Sequence, residues 1–261
     1  MKYDNIILEK ADRVAVLRLN RPAASNALNS GLFEDFIKAL EVCTVDAEIK
    51  VIVITGEGKA FCAGGDVAVF SSSPDPGETI RQLTKQLYFA ISGIRRIPKP
   101  VIAMINGAAA GAGISLAAAC DLRICASSVK FRQAYTSIGL VPDGAWTLLV
   151  PLLIGFGKAS ELAYLDPIFD AKEAFAMGLV NRVVEDNELE RTTRQIALKL
   201  ARGAALSYAA VKENLNEALL GLLERMLELE RGGIIRAGKT KDAREGISAF
   251  MERRQPSFSG Q

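Results

Sequence analysis

Two runs, VIVIT at 51–55 and VIAMI at 101–105, constrain this chain more than any other feature. Each is short, continuous and apolar, and rich in β-branched side chains. A strand with one wet face alternates apolar and polar residues; these do not alternate. They read as strands buried on both faces, as in a parallel sheet, and parallel neighbours need a long crossover between them. Each run leads into a glycine-rich segment, GEGKAFCAGGD after the first and NGAAAGAGISLAAAC after the second. The second passes directly into a helix of small residues, and DLRICA at 121–126 reads as a third strand. Strand, glycine-rich turn, helix, strand, repeated, predicts an α/β domain built of βα units.

The remaining segments fit around that repeat. NIILEK and RVAVLRL flank ADR and predict a hairpin. Asn29 stands where an N-cap belongs, before Leu32, Phe33, Phe36, Ile37 and Leu40 at helical spacing. SSSPDPG at 71–77 reads as a loop. Ile80, Leu83, Leu87, Ile91 and Ile94 then mark one helix face, which IPKP ends. Asp170 and Glu173 make a capping-box pattern, with Gly178 as the stop, and LVNRVV is a short strand. From Asn187 onward the pattern is helical, with Leu215, Leu219, Leu222, Leu223, Met226 and Leu227 as its apolar face. The chain thus divides into a core over 1–186 and a helical region over 187–261. The latter reads as a lid, an oligomer contact or simple packing on the core.

Composition removes several functions. There is no histidine, which excludes Ser-His-Asp and Cys-His triads and most zinc sites. Acid–base work falls to Asp, Glu, Tyr, Lys or Cys. With 32 basic and 30 acidic residues the net charge is +2, which argues against nucleic acid as a partner. Residues 231–261 are more basic than the rest: seven Lys and Arg stand against three acids, a tail that could hold an anion or be a solvated helix face. Cys43, Cys62, Cys120 and Cys125 form no CxxC pair and read as reduced, buried thiols. No run of 18 uncharged apolar residues predicts a membrane span, and Met1 to Lys10 has no apolar signal core. The expectation is a cytoplasmic protein with no metal and no membrane partner.

Two features carry chemistry. A glycine-rich turn that follows a strand and opens a helix leaves backbone N–H groups free, with the helix dipole behind them. Two such turns side by side could hold one carbonyl oxygen as it becomes an oxyanion; close helix–strand packing is the bland alternative. Neither turn is a P-loop or a dinucleotide fingerprint. The second feature is GLVPDGAW at 139–146, where Asp143 is the one acidic residue in an apolar stretch. It is either a Pro-Asp-Gly turn residue or an acid–base group in an apolar pocket.

KAFCAGGD (59–66), KPVIAMINGAAAGAGISLAAACDLRICA (99–126) and IGLVPD (138–143) resemble the enoyl-CoA hydratase/isomerase family, the crotonase superfamily. NRPAASNALN, DAKEAFAMGLVNRVV and FMERRQPSFSG agree, and the resemblance runs through nearly the whole chain. It implies a spiral of ββα units with a helical C-terminal region, assembled as a homotrimer or dimer of trimers. It implies an acyl-CoA substrate, with coenzyme A as part of that substrate and no further cofactor. The oxyanion hole would be the backbone N–H groups of Gly65 and Ala112, the latter standing where most members have glycine. Coenzyme A would lie against Ala63, Gly64 and Asp66. Hydratases of the family carry two glutamates; this chain has Ser115 and Tyr135 in those places. The resemblance is nearest to the isomerase branch with a single catalytic aspartate, which acts on dienoyl-CoA and epoxyphenylacetyl-CoA type substrates. That makes Asp143 the catalytic group, with Ser115, Tyr135 and Trp146 around the acyl chain. Double-bond isomerisation is the leading expectation; hydration through Asp143, or acyl-CoA binding with weak chemistry, are the alternatives.

Overall fold

The computed structural model describes residues 3–261, the Pro76 side chain excepted; Met1 and Lys2 lie outside the described residues. The hairpin forms as expected. β1 (Ile6–Ala11) pairs antiparallel with β2 (Val14–Leu19), and Asp12 and Arg13 take positive φ in the two-residue turn. Two left-handed residues match the twist of the strands they join. The Leu32 N–H donates to Asn29 Oδ1 at 2.9 Å and starts α1 (Ser30–Val45). β3 (Val51–Gly56) is buried at every residue, as a doubly covered strand must be. After β4 (Ala60–Cys62) and α2 (Val67–Ser71), the loop expected at 71–77 narrows to 72–75. The Glu78 N–H donates to Asp75 Oδ1 at 3.1 Å, and α3 (Pro76–Arg96) begins with proline, whose missing N–H goes unused in a first turn.

β5 (Val101–Ile105), β6 (Ala108–Ala110) and α4 (Ala112–Ala119) repeat the pattern, followed by β7 (Leu122–Ala126) and β8 (Lys130–Arg132). α5 (Trp146–Ile154), α6 (Phe156–Leu165), β9 (Phe169–Asp170), α7 (Ala171–Ala176) and β10 (Arg182–Val184) complete the sheets. The capping box of Asp170 and Glu173 is present on α7, and Gly178 ends that segment with a φ of 89°. Then come α8 (Leu189–Ala201), α9 (Ala205–Ala237) and α10 (Lys241–Glu252).

The strands form two sheets. One has the order β1-β2-β3-β5-β7-β10 and is parallel after the first pair; the other has the order β4-β6-β8-β9. From β3 to β8 successive strands therefore alternate between the large sheet and the small one. This is the spiral of ββα units that the family resemblance implies. α8 covers one face of the large sheet against β3, β5 and β7, and α1 and α3 pack together elsewhere on the core. The pairing that positions the site is β4 with β6, parallel, with Cys62 opposite Ala109. It brings the two glycine-rich turns alongside each other at the ends of these strands.

One sequence expectation fails in α9. Leu223 and Leu227 are buried, but Leu215 is 67% exposed and Leu222 51%. The buried stripe instead runs through Lys212, Asn216, Leu223, Leu227, Glu230 and Ile234. The polar members decide it. Lys212 Nζ donates to Asp121 Oδ2 at 2.8 Å, and Arg95 donates to Asp121 Oδ1 at 3.1 Å and to Asn216 Oδ1 at 2.6 Å. Apolar spacing alone cannot anticipate a helix seated by hydrogen-bonded charges.

Candidate active site

A cavity of about 270 Å³ opens where the two glycine-rich turns meet α3, α9 and α10. Ala63, Gly64 and Gly65 line it from the first turn, and Gly111 and Ala112 from the second. The two turns touch. A Cβ on Gly64, whose φ is 91°, would lie 2.9 Å from the Ala110 carbonyl and 3.3 Å from the Ala112 nitrogen. A Cβ on Gly113 would lie 2.3 Å from the Cys62 carbonyl, so β4 and the start of α4 approach at a distance only glycine permits.

Both expected oxyanion donors are free. Leu28 bridges the first turn in parallel fashion: its N–H donates to the Gly64 carbonyl at 2.7 Å, and its carbonyl accepts the Asp66 N–H at 3.0 Å. That alternation skips Gly65 and leaves its N–H unpaired. Ala112 is the first residue of α4, where an N–H has no partner within the helix. Among the described residues neither N–H has a hydrogen-bond acceptor. Ala112 is 4% exposed, so its methyl group is accommodated in the packing.

Asp143 lines the same cavity as these donors and is buried. Tyr135 donates its hydroxyl to Asp143 Oδ1 at 2.6 Å, while Oδ2 accepts no hydrogen bond among the described residues. Burial pushes the Asp143 carboxyl up to about 6, against the opposing pull of the Tyr135 hydrogen bond. Burial also drives the Tyr135 phenol well above its ordinary value, and the neighbouring Asp143 charge adds to this. The phenol therefore stays a donor and the aspartate stays ionised at neutral pH. The apolar part of the wall includes Ile80, Leu83 and Leu87 from α3, Ile234 from α9 and Phe250 from α10.

Three residues placed at the substrate by the sequence lie behind the wall. Ser115 is fully buried and donates its hydroxyl to the Asp143 carbonyl at 2.7 Å. It supports the aspartate from below. Trp146 is 2% exposed and belongs to the core at the start of α5. Asp66 occupies the N-cap position of α2, but its carboxylate makes no cap bond and instead accepts Arg21 Nη1 at 2.9 Å. Tyr135 does line the cavity, with its hydroxyl committed to Asp143 rather than offered to a ligand.

The sequence reading missed Glu230. It is buried on α9, where its Oε2 accepts the Ala145 N–H at 2.6 Å and its Oε1 accepts the Thr147 N–H at 2.8 Å and the Thr147 hydroxyl. Burial raises it to about 7, opposed by the Thr147 and Ala145 bonds and assisted by the Asp143 charge. Its spacing from Leu223, Leu227 and Ile234 was the available signal: a glutamate in register with a core stripe. Arg132, Thr84 and Ser137 also line the cavity and were not singled out. Among the described residues there is no cluster of three metal-ligating side chains, and no helix long and apolar enough to cross a membrane.

Comparisons with known proteins give the family and the fold. The family model described as "Enoyl-CoA hydratase/isomerase" matches residues 9–261. The chain is 36% identical to a crotonyl-CoA hydratase of Syntrophomonas wolfei, over 99% of each chain. It is also 36% identical to a 1,2-epoxyphenylacetyl-CoA isomerase of Escherichia coli, over 95% of each. The fold is similar to the crystal structure of an enoyl-CoA hydratase from Mycobacterium avium subsp. paratuberculosis, with a TM-score of 0.90 and 31% identity over 99% of this chain and 100% of that one. Identity to a hydratase and to an isomerase is equal, so the choice of reaction rests on the site.

Proposed function

Because the chain belongs to the enoyl-CoA hydratase/isomerase family, we propose that it is an enoyl-CoA isomerase that moves a double bond with Asp143 as its single acid–base group. The observation that carries the reading is that Asp143 is the one carboxylate in the cavity wall among the described residues. Hydration asks for one group to activate water and another to protonate carbon. Glu230, the second buried carboxylate, does not line the cavity.

The steps follow from the groups present. The thioester carbonyl of an acyl-CoA sits between the N–H groups of Gly65 and Ala112. Asp143 Oδ2 takes a proton from one end of the allylic system. The C–H electron pair flows into an enolate, whose oxygen the two N–H groups stabilise by about 3 kcal/mol each. The Asp143 carboxylic acid then returns the proton at the other end. The double bond has moved, the mass is unchanged, and Asp143 is again ionised. Tyr135 keeps the carboxylate oriented through Oδ1.

Ala63 and Gly64 lie on the coenzyme A side of this arrangement. The reaction draws on no group beyond the coenzyme A that the substrate carries. Residues 187–261 are taken as the helical region that closes the cavity, through Ile234 and Phe250, on the core of residues 1–186. A homotrimer or dimer of trimers and a cytoplasmic setting belong to the same reading; four buried, unpaired thiols suit a reducing compartment.

The test is a mass-resolved incubation with 3-enoyl-CoA and trans-2-enoyl-CoA, with Asp143→Asn beside the wild type. A product of unchanged mass with a shifted double bond, lost in the variant, is expected. A product heavier by one water would replace the isomerase with a hydratase.

A further inference from the structure

The turn that follows Asp143 is held in place by a carboxylate from the far end of the chain. Gly144 and Ala145 both have positive φ, 68° and 63°. Gly144 takes this conformation freely, and nothing larger fits: a Cβ there would lie 2.9 Å from both Leu87 Cδ2 and Ser115 Cβ. Ala145 has no such freedom, and the left-handed region costs it about 1 kcal/mol. Ala145 is also the N-cap of α5 and supplies no side-chain cap. The N–H groups at that helix start need acceptors, and Glu230 supplies them from α9, to Ala145 at 2.6 Å and to Thr147 at 2.8 Å. Ser115 holds the other side through the Asp143 carbonyl.

We propose that Glu230 is a positioning residue: by capping α5 across the chain it fixes the Gly144–Ala145 turn, and with it the direction in which Asp143 presents Oδ2 to the cavity. This rests on the reading of Asp143 as the base. A second link runs through charge. The titratable groups facing Glu230 are Asp143 and Tyr135. α3 brings Ile80, Leu83, Thr84 and Leu87 to this side of the cavity, α4 brings Ser115 and α5 brings Thr147, none of them charged. On α9 itself Arg231 is engaged by Glu228 at 2.7 Å. The Asp143 charge therefore acts on Glu230, which loses its proton only at about 7, after Asp143 has ionised at about 6, so neutralising position 230 leaves the Asp143 ionisation where it is.

The experiment compares kcat, KM and the pH profile of kcat/KM on 3-enoyl-CoA for the wild type, Glu230→Gln, Thr147→Val and Asp143→Asn. Glu230→Gln keeps the volume but sets an amide donor against a backbone N–H. Its kcat is expected to fall about 10- to 100-fold, the loss typical of a misplaced reacting group. KM should stay within about twofold, because the oxyanion donors and apolar wall are untouched. The acid limb should stay near pH 6, since Glu230 is still protonated while Asp143 ionises. Thr147→Val removes one of the three donors and should give a smaller kcat loss at unchanged KM; it decides the matter if Glu230→Gln does not fold. A folded variant with wild-type kcat overturns the proposal. So does one whose kcat loss only tracks a smaller folded fraction, or comes with a KM raised by the same factor. Asp143→Asn reads the other question separately: if it remains active, the base assignment fails, whatever Glu230 does.

Discussion

An ionised carboxylate at position 143 is held in the fold at a cost. Its carboxyl is raised from 3.8 to about 6 by burial, so between these values the folded chain keeps a proton that the unfolded chain has released. Stability therefore falls as pH rises through that interval. Asp143→Asn is expected to stabilise the protein by about 3 kcal/mol at pH 7 and by little at pH 4, read by urea unfolding at both pH values. The same variant should lose about 100-fold or more in turnover. In the wild type, kcat/KM should fall as pH drops through about 6, because the base must be ionised to act. An acid limb well below pH 5 would mean that Asp143 is not the group titrating. The sequence showed this residue as one carboxylate among apolar neighbours. It did not show that Tyr135 and Ser115 spend their hydroxyls on it, because which partner a hydroxyl finds depends on contacts between separate elements.

At the scale of elements, the two oxyanion turns depend on how closely β4 and α4 approach. Gly113→Ala puts a methyl group 2.3 Å from the Cys62 carbonyl, and backbone must move. Lower thermal stability and weaker turnover are expected together, since the same shift displaces Ala112; a fully stable and active Gly113→Ala would refute the close packing. The seat of α9 is another such dependence. Asp121→Ala would leave Lys212 and Arg95 without their shared carboxylate, and a loss of about 3 kcal/mol in urea unfolding is expected. Strands, turns and caps were legible because their signals are local: β-branched runs, the Asn29 cap, the Asp170–Glu173 box. The face of α9 was not. That helix carries leucines on more than one side, and the side that is buried is chosen by Lys212, Asn216 and Glu230 finding partners more than 80 residues away in sequence. A polar residue in a core register gives a weaker sequence signal than the leucine beside it.

For the whole molecule, the exposed apolar side chains suggest a contact face. Leu152, Phe156, Tyr164, Leu165 and Ile168 all stand open to solvent across α5, α6 and the loop after it. A contiguous exposed apolar patch is what an association surface would offer. Light scattering is expected to show three or six chains per particle, and Phe156→Glu should shift the distribution toward one; a wild-type monomer at assay concentration would remove the trimer from the reading. The proton inventory of the folded chain is unusual as well. The chain has no imidazole to fill the interval in which histidines exchange protons. Asp143 and Glu230, at about 6 and about 7, fall within it. Carboxyl infrared bands followed from pH 5 to 8 would thus arise against a quiet background. A substrate analogue that takes up or releases a proton at the site could be followed by proton counting on the unlabelled protein, with no engineered probe.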